Sequence, residues 1–370
     1  MHEDIDVAVL EFVRALPAYV PGRPIASVSH EFGISPEHIV KLASNENPSG
    51  MSQRARAALR ECCGDVHRYP DSDCDQLRSS LASYLSLEPE YVLPAAGSSE
   101  IITLATRAVL RPGRNAIISQ YSFISYPLAI RATGAELLVV PARADYGHDL
   151  ARMAAAVTPE TGLVVAVSPN NPTGTASSVS EILAFIEAIP AHVLIVLDEA
   201  YRDYRAPELC VDFGSVVRAH RNVLFLRTFS KVHGLAGLRV GYGIAHTALV
   251  DSLRRLQSPF SVNSVAQAVA VASLEDHSFI RHSVALNSSE RQRLQTRLRE
   301  MGLRCLPSEG NFLLVHVGDG QGTHRALLRR GVIARPVANY GLPEWLRVTI
   351  GLPAENDRFT EVLADAMSCI

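Results

Sequence analysis

The central part of the chain alternates short apolar runs, some of them continuously apolar, with longer amphipathic segments. The apolar runs lie at residues 116–118, 136–140, 163–168, 193–197 and 223–226. Runs of this length are typical of strands that helices cover on both faces, as in a parallel sheet. Helical periodicity fills the gaps between the runs. The pattern therefore predicts an α/β fold built on a mostly parallel sheet.

Both ends of the chain follow a different pattern. Apolar residues at helical spacing predict an amino-terminal helix over residues 5–16 that buries one stripe. Beyond residue 259, a long helical region, strands at 311–317 and 346–350 and a final helix indicate a second, smaller α+β domain. The predicted division is a large cofactor-binding domain over residues 45–265 and a small domain over residues 1–44 and 266–370.

Composition limits the classes of function. A chain of 370 residues is long enough for two cores, and a formal net charge of −3 favours neither nucleic acid nor an anionic membrane as a partner. The acidic start of the chain is not typical of a secretory signal, and no run of 18 apolar residues occurs, so we expect a cytoplasmic protein. The six cysteines and 13 histidines show no ligand spacing, so we expect no metal. Small-molecule substrates fit these limits.

Three of the predicted strands end in polar residues of complementary chemistry. Asn171 lies in the loop after the third run, Asp198 ends the fourth, and Lys231 follows the fifth, before a glycine-dense segment of tight backbone. Because the carboxyl ends of parallel strands meet at one edge of a sheet, we expect these side chains to share a crevice. A lysine desolvated there has a lowered pKa and can attack a carbonyl to form an imine. The buried aspartate needs a cationic partner, such as a protonated ring nitrogen, and Tyr201 lies one turn beyond it.

Each of these residues also has a purely structural interpretation. Lys231 taken alone would be an exposed lysine, as most lysines are. Asp198 could cap a helix, with Tyr201 in the core. The small residues Gly97, Ser98 and Ser99 open an apolar helix, and they form either a capping box or an anion site made of free backbone N–H groups.

The combination of these features points to one cofactor. The segment at residue 97 lacks both the dinucleotide pattern Gly-x-Gly-x-x-Gly and the nucleotide pattern Gly-Lys-Ser/Thr. Ser230 and Arg239 can supply further donors to a phosphate, the arginine in bidentate fashion. An imine-forming lysine, an aspartate for a ring nitrogen, a nearby tyrosine and a phosphate site together indicate pyridoxal 5'-phosphate.

Motifs along nearly the whole chain also occur in a familiar order. They are Asn45-Glu-Asn-Pro48, Arg68-Tyr-Pro70, Ser168-Pro-Asn-Asn-Pro-Thr-Gly174, Asp198-Glu-Ala-Tyr201, Thr228-Phe-Ser-Lys-Val-His-Gly-Leu-Ala-Gly-Leu-Arg239, Tyr340-Gly-Leu-Pro343, Leu346-Arg-Val-Thr-Ile-Gly351 and Glu355-Asn-Asp-Arg-Phe359. With these motifs the chain resembles the fold type I aminotransferases and, among them, the histidinol-phosphate aminotransferases. The resemblance implies an α/β large domain with a mostly parallel sheet and a smaller α+β domain.

The resemblance assigns roles to the cofactor site. It implies that Lys231 forms the imine with pyridoxal phosphate and that Asp198 pairs with the ring nitrogen. Asn171 and Tyr201 would bind the phenolic oxygen, and Phe123 would stack on the ring. The implied phosphate contacts are Gly97, Ser98, Ser99, Ser230 and Arg239.

The resemblance further implies a substrate site and a homodimer. Tyr69 would reach the cofactor phosphate of the neighbouring subunit, so that two subunits share their active sites. Arg347 would bind the carboxylate of glutamate and the phosphate of histidinol phosphate, with Arg335 as a second anion contact. Tyr19 and Asn45 would line the substrate pocket.

The implied reaction belongs to histidine biosynthesis. It converts histidinol phosphate and 2-oxoglutarate into imidazole-acetol phosphate and glutamate. An aminotransferase for aromatic amino acids or for a specialised pathway is an alternative on the same scaffold. A decarboxylase and a non-catalytic cofactor-binding sensor are further alternatives, and the sequence leaves the amino donor open.

Overall fold

The computed structural model describes residues 7–18 and 21–368 of the chain. The helices are α1 Glu11–Arg14, α2 Ile25–Phe32, α3 Gln53–Cys62, α4 Asp75–Leu85, α5 Ser98–Val109, α6 Ser125–Arg131, α7 Leu150–Ala155, α8 Val179–Ala188, α9 Phe213–Ala219, α10 Thr247–Arg254, α11 Ser264–Leu274, α12 His277–Glu300, α13 Gly320–Leu328 and α14 Pro353–Ser368. The strands are β1 Val40–Lys41, β2 Val92–Ala95, β3 Asn115–Ser119, β4 Glu136–Val140, β5 Thr161–Val167, β6 Leu194–Asp198, β7 Val223–Thr228, β8 Gly241–Ala245, β9 Phe312–His316, β10 Val332–Ile333, β11 Arg335–Val337 and β12 Leu342–Thr349.

A seven-stranded sheet with the order β2-β8-β7-β6-β5-β3-β4 forms the centre of the molecule. Strands β3 to β7 pair in parallel and correspond to the five predicted apolar runs. Successive side chains point to opposite faces, so Ile195 and Leu197 lie in one core while Leu194 and Val196 lie in the other. Helices α3, α4 and α8 pack in the first core, and α5, α6 and α10 pack in the second. The predicted α/β fold with a mostly parallel sheet is confirmed.

The glycine-dense segment after Lys231 was predicted as tight backbone, and part of it is strand β8. This strand lies antiparallel between β7 and β2. A Cβ at Gly241 would come within 2.7 Å of the Ser98 nitrogen and 2.9 Å of the Arg227 carbonyl. The glycine is therefore needed for close backbone approach, which the pattern alone does not distinguish from a turn.

The carboxyl-terminal part of the chain forms a smaller α+β unit. Its sheet has the antiparallel order β11-β12-β9, and β1 pairs in parallel with β10. Helices α12, α13 and α14 enclose the apolar core of this unit. The predicted domain boundary at residue 265 stays a prediction. Just after this residue, the buried side chains Ala266, Val269 and Ala270 of α11 still pack in a core of the large sheet.

Within the described residues the amino-terminal helix is shorter than predicted, and the predicted start at residue 5 lies outside them. Helix α1 is a single turn without a buried residue, and Val9, Phe12 and Leu16 are only partly buried. One turn is too short to present the continuous stripe that the spacing predicts. Over the described ranges, no helix combines the length and the apolar character needed to cross a membrane.

Candidate active site

A cavity of about 260 Å³ lies where β5, β6 and β7 end. Its wall includes Asn171, Asp198 and Lys231, each contributed by the segment at the end of a different strand. The strands are adjacent and parallel, which brings their carboxyl ends to one edge. The three residues that the sequence analysis placed in one crevice therefore lie together.

Lys231 points its ammonium group into this cavity. Its Nζ donates to the carbonyl oxygens of Ser44 at 3.4 Å and Asn45 at 3.2 Å. Removal from water and the nearby Arg347 guanidinium lower the pKa of Lys231 to about 7. The structural alternative of a fully solvated lysine does not describe this side chain.

Asp198 ends β6 with a side chain that is only 4% exposed. Its Oδ2 accepts a hydrogen bond from the Tyr126 hydroxyl at 2.8 Å, and its Oδ1 accepts one from the Ala200 N–H at 3.1 Å. Burial raises the pKa of Asp198, while these two hydrogen bonds oppose the rise. The N-cap position of the 3-10 turn that follows is Tyr201, so Asp198 is not its N-cap residue. The carboxylate faces the cavity instead.

The hydroxyl of Tyr201 is held by two asparagines. Asn45 Nδ2 donates to it at 2.9 Å and Asn171 Nδ2 at 3.3 Å. Asn171 is itself oriented, because its Oδ1 accepts a hydrogen bond from Arg347 at 2.6 Å. Burial raises the pKa of Tyr201, so the phenol is neutral at physiological pH. The network places a hydroxyl and an amide at fixed positions in the cavity wall.

The predicted phosphate segment opens α5 beside this cavity. Gly97 is the N-cap residue, with φ of 83°, and Ser98 and Ser99 begin the helix and line the cavity. The positive φ favours glycine at this position, and a Cβ there would come within 2.9 Å of the Arg239 guanidinium, which therefore lies beside the helix start. The first N–H groups of a helix have no intrahelical partner. Together with the lining residue Ser230, they form a donor set suited to an anion.

The capping alternative for this segment applies only in part. Glu100 Oε2 accepts a hydrogen bond from the Ala96 N–H at 2.6 Å. Gly97, however, has no side chain to complete a capping box.

Two arginines lie on the opposite wall, on neighbouring antiparallel strands. Arg335 of β11 is directly opposite Arg347 of β12. Both line the cavity, and Arg347 also donates to the Ala43 carbonyl at 2.5 Å. Like charges at directly opposed positions destabilise a sheet. Because an anion bound between the two guanidinium groups would relieve this repulsion, their placement favours an anionic ligand.

The other predicted residues differ in their placement. Phe123 and Asn45 line the cavity. Tyr69 is 84% exposed and stacks on Phe260, outside the cavity of its own chain. Tyr19 lies outside the described residues.

Sequence reasoning missed two tyrosines of this site. The sequence analysis gave no role to Tyr126, and its bond to Asp198 depends on how α6 packs against the sheet. Tyr340 was recognised as part of a motif without a role, although it lines the cavity. Tyr126 carries no sequence signal that separates it from an ordinary core aromatic, and the motif at Tyr340 does not by itself assign a role to the side chain. Within the described ranges, no group of three or more His, Cys, Asp or Glu side chains is arranged to hold a metal ion.

The chain is similar to known proteins along most of its length. The family model for aminotransferase class I and II matches residues 37–363. The chain is 47% identical over 362 residues to histidinol-phosphate aminotransferase 2 of Ralstonia nicotianae, covering 97% of this chain and 96% of the relative. It is also 47% identical over 351 residues to histidinol-phosphate aminotransferase of Methylobacillus flagellatus, covering 95% of each chain.

A solved structure shows the same architecture. The histidinol-phosphate aminotransferase of Sinorhizobium meliloti, in complex with pyridoxal 5'-phosphate, superimposes with a TM-score of 0.91 at 25% identity and covers 99% of each chain. The architecture is thus that of the fold type I aminotransferases. On the family match and the two full-length relatives, this chain belongs to the aminotransferase class I and II family.

Proposed function

We propose that the protein is a pyridoxal-phosphate-dependent aminotransferase that uses histidinol phosphate and 2-oxoglutarate and forms imidazole-acetol phosphate and glutamate. The observation that carries the proposal is that one cavity joins Lys231 and Asp198 to the paired arginines 335 and 347. The first pair suits the cofactor, and the second suits an anionic substrate. The names of the full-length relatives favour histidinol phosphate as that substrate.

The residues of the cavity fit pyridoxal phosphate. The buried Asp198 carboxylate accepts hydrogen bonds only from neutral groups within the described part of the chain, which suits a cationic ring N–H as a further partner. The start of α5 and Arg239 suit the phosphate. When bound, the cofactor supplies an electrophilic carbon and a ring that withdraws electrons from the substrate.

Lys231 is suited to move a proton. With a pKa of about 7, its Nζ can both accept and return a proton near neutral pH. The Ser44 and Asn45 carbonyls orient this amine from one side. Asp198 would keep a proton on the ring nitrogen, and the Tyr201 and Asn171 side chains would orient the phenolic oxygen.

The substrate would bind between the cofactor residues and the arginine pair. Arg347 has a planar guanidinium that matches a carboxylate or a phosphate, and Asn171 and the Ala43 carbonyl hold its orientation. Arg335 adds a second positive charge at the neighbouring position. Asn45 and Phe123 would complete the wall, and Tyr19 stays a predicted contact.

We further propose a cytoplasmic homodimer with shared active sites. Tyr69 and Phe260 form an exposed aromatic pair, with ring centroids 4.7 Å apart. Large exposed aromatic groups are typical of interaction surfaces. A partner subunit would receive Tyr69 at its cofactor phosphate.

The lysine that binds the cofactor can be identified directly, because the chain has only two lysines, Lys41 and Lys231. Borohydride reduction followed by peptide mapping should find the cofactor on Lys231. Lys231→Ala should lose covalent attachment, and its kcat should fall at least ~1000-fold because the amine moves the proton. Lys41→Arg is the matched control, since arginine can keep the pair with Glu46, whose carboxylate lies 2.7 Å from Lys41 Nζ. Labelling of Lys41, or full activity of Lys231→Ala, would contradict the assignment.

The substrate is tested by comparing kcat/KM for histidinol phosphate and phenylalanine with 2-oxoglutarate as acceptor. We expect histidinol phosphate to be preferred. A preference for phenylalanine of more than about tenfold, or about 1.4 kcal/mol in transition-state binding, would reject it as the substrate while leaving the aminotransferase assignment intact. Release of carbon dioxide would indicate a decarboxylase. If glutamate does not transfer its amino group to the bound cofactor, the protein would instead be a non-catalytic cofactor-binding sensor.

A further inference from the structure

Tyr340 lies on the connection between the two strands that carry the arginine pair. It ends the single 3-10 turn Ala338–Tyr340 between β11 and β12. Gly341 follows with φ of 77°, a left-handed conformation that allows the chain to enter β12 directly. The turn thus fixes Tyr340 relative to Arg335 and Arg347.

The ring of Tyr340 is packed, whereas its hydroxyl makes one hydrogen bond within the part of the chain that the structure describes. The ring packs against the apolar cluster of Leu306, Leu314, Val337, Leu342 and Trp345. The hydroxyl oxygen accepts from the Ile124 N–H at 3.3 Å. Because that bond uses a lone pair, the proton of the hydroxyl remains available to an acceptor in the cavity that Tyr340 lines.

The charges around this hydroxyl select the kind of acceptor. Arg347 and Arg335 both act electrostatically on the phenol, and burial raises the pKa of Tyr340 so that it keeps its proton. A group that binds between two guanidinium ions and beside a hydroxyl donor is an oxyanion. A carboxylate offers two oxygens to these donors, whereas a phosphate monoester offers three.

We propose that Tyr340 is a specificity-determining residue, whose hydroxyl donates a hydrogen bond to a substrate phosphate monoester held by Arg335 and Arg347. The inference rests on the proposed function and deepens it. It assigns to Tyr340 a preference for phosphate over carboxylate in the same anion site. The Ile124 N–H orients the hydroxyl from the loop that also carries Phe123.

The test compares wild-type, Tyr340→Phe and Tyr146→Phe holoenzymes. Tyr146 belongs to the same aromatic cluster but does not line the cavity, so its variant controls for loss of a hydroxyl. Three quantities are measured: the KM and kcat for histidinol phosphate, the same constants for histidinol, which lacks the phosphate, and the inhibition constant of inorganic phosphate. Absorbance and bound cofactor are recorded for each protein.

For Tyr340→Phe we expect the KM for histidinol phosphate and the inhibition constant of phosphate to rise about tenfold, because a hydrogen bond to a charged acceptor is lost. The constants for histidinol, the kcat and the bound cofactor should change less than about twofold, as should all constants of Tyr146→Phe. Equal losses for histidinol and histidinol phosphate would reveal a structural role and overturn the inference. Unchanged constants for histidinol phosphate would do the same.

The two proposals fail separately. If the wild-type enzyme does not convert histidinol phosphate, the proposed substrate is wrong. Inhibition by inorganic phosphate is then measured against whichever amino donor the enzyme accepts. If Tyr340→Phe leaves that inhibition unchanged, Tyr340 does not bind phosphate; a tenfold weaker inhibition supports its role independently of the substrate.

Discussion

The Asp198 carboxylate depends on a residue far from it in the sequence. Removal of a carboxylate from water costs free energy, which its hydrogen bonds partly offset. Tyr126 supplies one of these bonds from α6 at 2.8 Å, and both side chains are buried. The tyrosine thereby favours the charged form of Asp198, which a cationic ring nitrogen requires. Tyr126 is a positioning residue that acts through the aspartate.

We expect Tyr126→Phe to weaken cofactor binding about tenfold, because the carboxylate loses a donor. The lost hydrogen bond also raises the already elevated pKa of Asp198 further. An aspartate whose pKa is higher in the folded than in the unfolded protein loses stability as the pH rises. The variant's deficit in free energy of unfolding should therefore be small near pH 4 and larger near pH 8.

Cofactor titration and urea unfolding of the cofactor-free proteins at these two pH values measure both effects. Tyr242→Phe removes another buried hydroxyl, one without a hydrogen bond to Asp198, and serves as the control. A deficit that is equal at both pH values would show that Tyr126 acts only through packing.

At the scale of elements, the turn after Lys231 depends on Gly234. Its φ is 69°, and a Cβ there would overlap the carbonyl group of Gly50. Gly234→Ala should lower the free energy of unfolding by about 2–5 kcal/mol, through backbone strain and overlap with a backbone atom. Gly237→Ala, three residues further on, meets no atom within 4 Å and should change stability by less than about 0.5 kcal/mol. Urea unfolding measures the free energy of unfolding of both variants. Equal losses would show that the contact with Gly50 does not restrict the side chain at residue 234.

The strands of the central sheet show which parts of the structure a sequence pattern can predict. Strands β3 to β7 were predictable because each contains a short apolar run, and their parallel order then placed Asn171, Asp198 and Lys231 at one edge. Strand β8 was not, because its glycines serve close backbone approach and look like turn residues. The roles of Tyr126 and Tyr340 depend on which loops pack together, and no local periodicity encodes that.

At the scale of the whole molecule, distant parts of the chain complete the site that the central sheet begins. The Asn45 N–H donates to the Thr349 hydroxyl at 2.9 Å, which joins a segment near the start of the chain to β12. Asn45 and Arg347 then contact Tyr201 and Asn171 at the ends of the central strands. The cavity therefore requires both the large sheet and the smaller unit. A change that separates the sheet from the smaller unit should weaken ligand binding before it destabilises either hydrophobic core.

The proposed homodimer extends this sharing to a second chain. If Tyr69 serves the partner's site, a Tyr69→Ala chain and a Lys231→Ala chain are each impaired but complement each other. After random reassociation, about half of the dimers should be mixed, and each mixed dimer has one intact site. About a quarter of all sites in the mixture should therefore be intact. Activity should therefore rise on mixing, and light scattering should report a dimer for each protein. The ring of Tyr69 stacks on Phe260 and is 84% exposed, which is consistent with such an arrangement. Mixed activity equal to the mean of the two variants, or full activity of Tyr69→Ala alone, would show that each chain builds its site without its neighbour.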